Sequence, residues 1–132
     1  MKNLIICCLL FISASLFGQN AFNDCAAICL DKVALVKDYS PRSSCAIEQD
    51  ATGKLAVYTV NISEKAITPK RNIDFKIAIR DAATKTIWMY SERTFETIAV
   101  EDILAKCKKD DHILLMTVDR SFALPHNEIL VK

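Results

Sequence analysis

The sequence predicts a mainly β (or α+β) domain: a small antiparallel β-sandwich or open barrel of six to seven short strands with one helix near residues 99–108. Two patterns carry that expectation. Ile73, Phe75, Ile77 and Ile79 alternate with Asp74, Lys76, Ala78 and Arg80, and a period of two puts four large apolar side chains on one face of a strand. Val100, Ile103, Leu104 and Cys107 recur instead at i, i+3, i+4 and i+7, the spacing of one helix face. The alternation excludes an all-helical chain. A strand and a helix that each offer a single apolar face must share one core, so Phe75, Ile77, Ile103 and Leu104 are expected to be buried together.

The first eighteen residues, MKNLIICCLLFISASLFG, read as an export signal. Lys2 supplies the positive end, residues 4–12 the apolar run, and Ser13, Ser15 and Gly18 the small residues that a signal peptidase accepts. The run is too short for a transmembrane helix, which needs about 20 apolar residues. Cleavage after Gly18 is expected, with a cut after Ser15 as the alternative. Residues 1–18 are thus a cleaved signal peptide and residues 19–132 a single disulfide-linked β-rich domain, secreted or periplasmic, with no transmembrane segment left.

Within that domain, residues 25–37 are open between two patterns. Asp24, Asp31 and Asp38 fall at heptad spacing, while residues 33–36 are an apolar run; a strand is expected over 33–38, because the break-forming residues 39–43 follow. Residues 45–48 read as a short strand, turned through Gln49 to Gly53 into a second strand over 54–62. Thr68, Pro69 and Lys70 separate it from the alternating strand. Asp81 to Thr84 read as a hairpin turn into 85–91, where Ile87 and Met89 oppose Thr86, Trp88 and Tyr90, so this strand is covered on both sides or carries an exposed aromatic face. Glu101 and Asp102 open the helix, and Lys106, Lys108 and Lys109 close it, as the helix dipole favours. Residues 112–118 form a buried strand. Asp119 to Ser121 turn the chain into a final strand, 122–124 and 129–131, interrupted at Pro125, His126 and Asn127.

Charge and glycine content exclude several functions. Removing residues 1–18 takes away Lys2 and no acid, so 17 basic residues become 16 against 16 acidic ones. A neutral domain with scattered lysines has no general attraction to nucleic acid or to anionic membranes. Only Gly53 remains of two glycines, and phosphate loops, dinucleotide fingerprints, nucleophile elbows and EF-hand loops all need more, because only glycine admits those backbone conformations. No cofactor is expected.

Four cysteines remain in the domain: Cys25, Cys29, Cys45 and Cys107. An even number in a small exported domain predicts two disulfides. A helical turn over 25–29 would place both thiols on one face, favouring Cys25 and Cys29 joined to Cys45 and Cys107 in either order. Zinc would need two paired short spacings, and only Cys25 and Cys29 approximate one.

The candidate binding residues are Pro125, His126 and Asn127, in a loop pinned between two apolar strands, and Trp88 and Tyr90, which with Tyr58 could form an aromatic strip. Catalytic and metal-ligating residues are not identified; Asp110 and Asp111, which with His112 could hold a cation, read as solvated turn residues. The function expected is that of an exported, non-enzymatic interaction module that binds another extracytoplasmic protein or a surface component. The alternatives are an inhibitor or immunity protein that inserts residues 124–128 into a hydrolase, and a small hydrolase using His126 with acidic residues.

Overall fold

The computed structural model describes residues 24–36, 40, 42–62 and 67–132; the expected signal peptide lies outside them. Among the described residues eleven strands and one short helix follow in order: β1 Asp24–Leu30, β2 Val33–Ala34, β3 Cys45–Ile47, β4 Lys54–Ile62, β5 Ile67–Ile73, β6 Phe75–Arg80, β7 Ile87–Met89, β8 Thr97–Ala99, α1 Val100–Leu104, β9 His112–Thr117, β10 Phe122–Ala123 and β11 Glu128–Val131. They form two sheets. The first runs β10-β1-β4-β5, with β2 also on β1 and β8 also on β4; the second runs β3-β11-β9-β6-β7. One sheet curls into a half-barrel, and the expected mainly β architecture with a single helix is the one found.

The alternating run behaves as expected but is divided between the sheets. Ile73 ends β5 in the first sheet, and Phe75, Ile77 and Ile79 belong to β6 in the second. The chain crosses at Asp74, and all four side chains stay buried because the two sheets face one core. Ile103 and Leu104 join that core. The last strand divides in the same way, β10 pairing with β1 and β11 with β9, so residues 124–127 are a passage between sheets. The expected hairpin of 45–48 with 54–62 is absent: β3 lies parallel to β11, and β4 pairs with β1 and β5. Of the strand expected over 33–38, Val33–Ala34 forms β2, residues 35–36 are bent and 37–38 lie outside the described residues; the main strand of this region is the earlier β1.

Pro69 stays in the ladder opposite Val60, because β5 is an edge strand and proline's missing N–H is tolerated there, whereas Lys70 is passed over as the extra residue of a bulge. The ladder of β5 with β4 shifts between Thr59 and Val60. Thr59 and Val60 are both buried, and Thr59 Oγ1 accepts the Arg71 N–H at 3.2 Å.

Gly53 is a junction. Its φ of +131° is reserved for glycine, and a Cβ there would meet Asp31 Oδ2 at 2.6 Å. Asp31 and Lys32 have φ of 51° and 67°, as a two-residue type I′ hairpin turn requires. Asp31 Oδ1 accepts the Lys54 N–H at 2.9 Å, and the Gly53 carbonyl accepts the Val100 N–H at 2.9 Å. The turn, β4 and the start of α1 are therefore tied at one point.

The helix is shorter than its pattern. It stops at Leu104, and Lys106 and Cys107 close onto Ile103 and Leu104 through i→i+3 bonds, which keeps Cys107 buried. The lysines thus lie beyond the last turn rather than in it. Lys108 Nζ instead reaches Asp81 Oδ2 at 2.8 Å. Asp111, expected as a solvated turn residue, is 2% exposed and accepts the Ala82 N–H at 3.0 Å and the Lys108 N–H at 2.8 Å. Those bonds supply a buried carboxylate with the partners it requires.

Candidate functional site

The second sheet has an inner and an outer side. Phe75, Ile77, Ile79, Ile113, Leu115, Ile129 and Val131 face the core, so strand alternation turns the intervening residues outward. The registers align these residues in rows: Ala46, Leu130, His112, Arg80 and Ile87; then Glu128, Leu114, Ala78 and Met89; then Met116 beside Lys76. Val118 extends the column, its N–H reaching the Asp74 carbonyl at 3.3 Å.

This outer side is largely apolar and open to solvent. Ile87 is 56% exposed, Met89 45%, Met116 38% and Val118 51%. Isolated exposed apolar residues are ordinary, but a contiguous set marks a surface that binds. Across it, Arg80 Nη1 and Nη2 donate to Glu128 Oε1 and Oε2 at 3.0 and 2.8 Å. The guanidinium holds the Glu128 carboxyl below its usual range, and the carboxylate raises Arg80 in turn.

Pro125, His126 and Asn127 are brought together with Ser43, Ser44, Cys45 and Glu128 around a cleft of about 350 Å³. Pro125 is exposed, while His126 and Asn127 are half-buried. The main chain of the loop is used structurally: the Asn127 carbonyl accepts the Leu115 N–H at 2.9 Å, and the His126 carbonyl lies 3.7 Å from Cys45 Sγ. Glu128 belongs to both the cleft and the outer face.

Trp88 and Tyr90 take different places. Trp88 opposes Ile79 on the inner side but sits on the edge strand and remains 39% exposed. Tyr90 packs against the core, its ring 6.2 Å from that of Phe95 and 5.7 Å from Lys106 Nζ. Tyr58 belongs to β4 in the first sheet, so the three aromatics form no strip. Leu114, Met116 and Val118 were legible only as parts of a buried strand, although their alternation with Ile113, Leu115 and Thr117 was there to be seen.

The two expected disulfides are absent. Cys25, Cys29, Cys45 and Cys107 are all free thiols, the first half-buried and the others buried. The helical turn that would have presented Cys25 and Cys29 together does not form, since both lie on extended β1. Cys29 Sγ lies 3.9 Å from the Ala27 carbonyl of its own strand. Burial raises Cys29, Cys45 and Cys107 to about 11, with Cys45 adding to the effect on Cys29 and Asp111 to that on Cys107. Such thiols are packing groups, without the thiolate that redox chemistry or catalysis needs.

Among the described residues no three His, Cys, Asp or Glu side chains are arranged to hold a metal ion, and no helix is long and apolar enough to cross a membrane. Comparison with protein-family models, with curated proteins and with solved structures finds no match to this chain.

Proposed function

We propose that the protein is an exported, non-enzymatic binding module whose docking surface for a partner protein is the outer side of the second sheet. The observation that carries this is the set Ile87, Met89, Met116 and Val118, four large apolar side chains exposed on one side of a sheet whose other side carries the core. The Arg80–Glu128 pair gives that surface a fixed polar feature among apolar neighbours, which orients a partner more than it tightens binding. Export rests on the pattern of residues 1–18, and buried thiols near 11 are compatible with an oxidising compartment because they are protonated and inaccessible.

The cleft beside His126 supports hydrolysis less well. Glu128 is held ionised by Arg80, which removes the proton that a general acid would donate at neutral pH. Insertion of residues 124–128 into an enzyme is also less supported than docking through the sheet, because His126 and Asn127 are half-buried along the cleft.

The test is affinity capture from the protein's own extracytoplasmic extract, with the captured protein identified by mass spectrometry, purified and titrated. Met116→Lys with Val118→Lys should abolish capture while circular dichroism stays unchanged. Capture that survives this double variant and is lost with His126→Ala and Asn127→Ala would move the site to the cleft.

A further inference from the structure

Among the described residues no strand pairs with the outer edge of β7 in the second sheet, and its exposed groups match themselves. The Thr86 carbonyl accepts the Asp81 N–H at 2.9 Å, and the Tyr90 N–H donates to the Ile77 carbonyl at 3.0 Å. Between those bonds Trp88 opposes Ile79. Backbone alternation therefore turns the N–H and C=O of Ile87 and Met89 away from β6 and off the edge of the sheet. All three side chains of β7 are exposed.

Natural edges are commonly guarded by proline, charge or bulges. The β5 edge of the first sheet has such guards in Pro69, Lys70, Arg71 and the bulge opposite Thr59 and Val60. The β7 edge, Ile-Trp-Met, has no proline, charge or bulge, and its shortness is its one guard.

We infer that a second copy of this chain docks antiparallel along β7, joining two five-stranded sheets into one through an isologous contact centred on Trp88. In that register Ile87 faces Met89 of the second copy and Met89 faces its Ile87, so each outward N–H meets an outward carbonyl and four ladder bonds form. Trp88 meets Trp88 of the second copy at the non-hydrogen-bonded position, where opposing side chains are closest and aromatic pairs are favoured. A single patch that satisfies itself about a two-fold axis is what a closed dimer requires. The pairing would also make the outer apolar sides of the two sheets continuous through Ile87 and Met89, leaving Met116 and Val118 two strands away for a different partner.

Sedimentation of the natively purified protein over a range of concentrations tests the inference, read together with the emission of Trp88, the chain's one tryptophan. Reversible dimerisation is expected, with Trp88 emission moving to the blue as concentration rises. Met89→Pro removes one outward N–H from each copy and leaves the bonds to β6 untouched; Ile87→Lys places a charge on the edge. Each should weaken dimerisation at least about tenfold, with circular dichroism confirming the fold, and if one variant fails to fold the other decides. A wild-type protein that stays monomeric throughout, or a dimer that both variants leave intact, would overturn the inference. A monomer that still captures a partner through Met116 and Val118 would sink this inference alone and leave the proposed function standing.

Discussion

Arg80 on β6 and Glu128 on β11 join across β9, the strand that separates them, through two parallel bonds of 3.0 and 2.8 Å. Neighbouring strands lie about 4.8 Å apart, so the pair bridges two strand spacings and lies over β9 where His112 and Leu114 face outward. An exposed ion pair contributes about 0–1 kcal/mol to stability and is screened by salt. Replacing Arg80 with methionine should therefore leave the urea midpoint within that range while changing affinity for the partner. Because the Glu128 carboxyl is depressed, the pair is complete above the ordinary carboxylate range and is lost as pH falls through the lowered value. Binding should weaken in acid, and Arg80→Met should remove that dependence.

Phe75 on β6 lies fully buried in the core, its ring 6.3 Å from that of Phe95. Phe75→Ala should cost about 3–5 kcal/mol, the ordinary loss for a large aromatic removed from a core. Equilibrium urea unfolding measures it; a loss below about 1 kcal/mol would contradict the packing described.

Gly53 should tolerate no side chain. Alanine there meets both the positive φ and the Asp31 carboxylate, and about 1–3 kcal/mol of backbone strain is expected from the first cause alone. Asp31→Ala removes the second cause as well as a hydrogen bond to Lys54. A double-mutant cycle of Gly53→Ala with Asp31→Ala should therefore show coupling, the double variant being more stable than the two single losses add to. Strict additivity would contradict the close approach.

The thiols predict an alkaline limb. Cys29, Cys45 and Cys107 are raised from 9.0 to about 11 by burial, so the folded state holds their protons more tightly than the unfolded state does. Their contribution is fully present below about pH 9 and is lost as pH rises towards 11. The urea midpoint should fall across that window, and less so in a Cys107→Ala variant. Thiol titration of residues 19–132 should find four groups in denaturant and slow reaction in the native protein.

The core was legible in the sequence and the sheet assignment was not. Alternation through Ile73, Phe75, Ile77 and Ile79 reports which side chains are inside, and it survives a crossing between sheets at Asp74 unchanged, so it could not reveal that crossing. The pairing of β3 with β11 joins Cys45 to Ile129, a contact between distant segments that no local pattern records. Residues 25–29 carry helix and strand signals together, and the thiols followed the wrong one. At the candidate site, the His126 loop was found because proline and an amide interrupt a strand. The outer side was missed because Leu114, Met116 and Val118 are as apolar as the buried residues between them, and hydrophobicity alone does not tell a covered side from a docking one.

Met89 and Met116 allow the proposed surface to be read directly, since both methionines lie on the outer side of the second sheet and both are exposed. Mild oxidation with peroxide converts exposed methionine to the sulfoxide, and peptide mass spectrometry gives the rate at each. With the captured partner in excess, oxidation of both should slow together relative to the free protein, Met116 at least as strongly as Met89. Unchanged rates at both residues in a saturated complex would contradict docking through this side of the sheet.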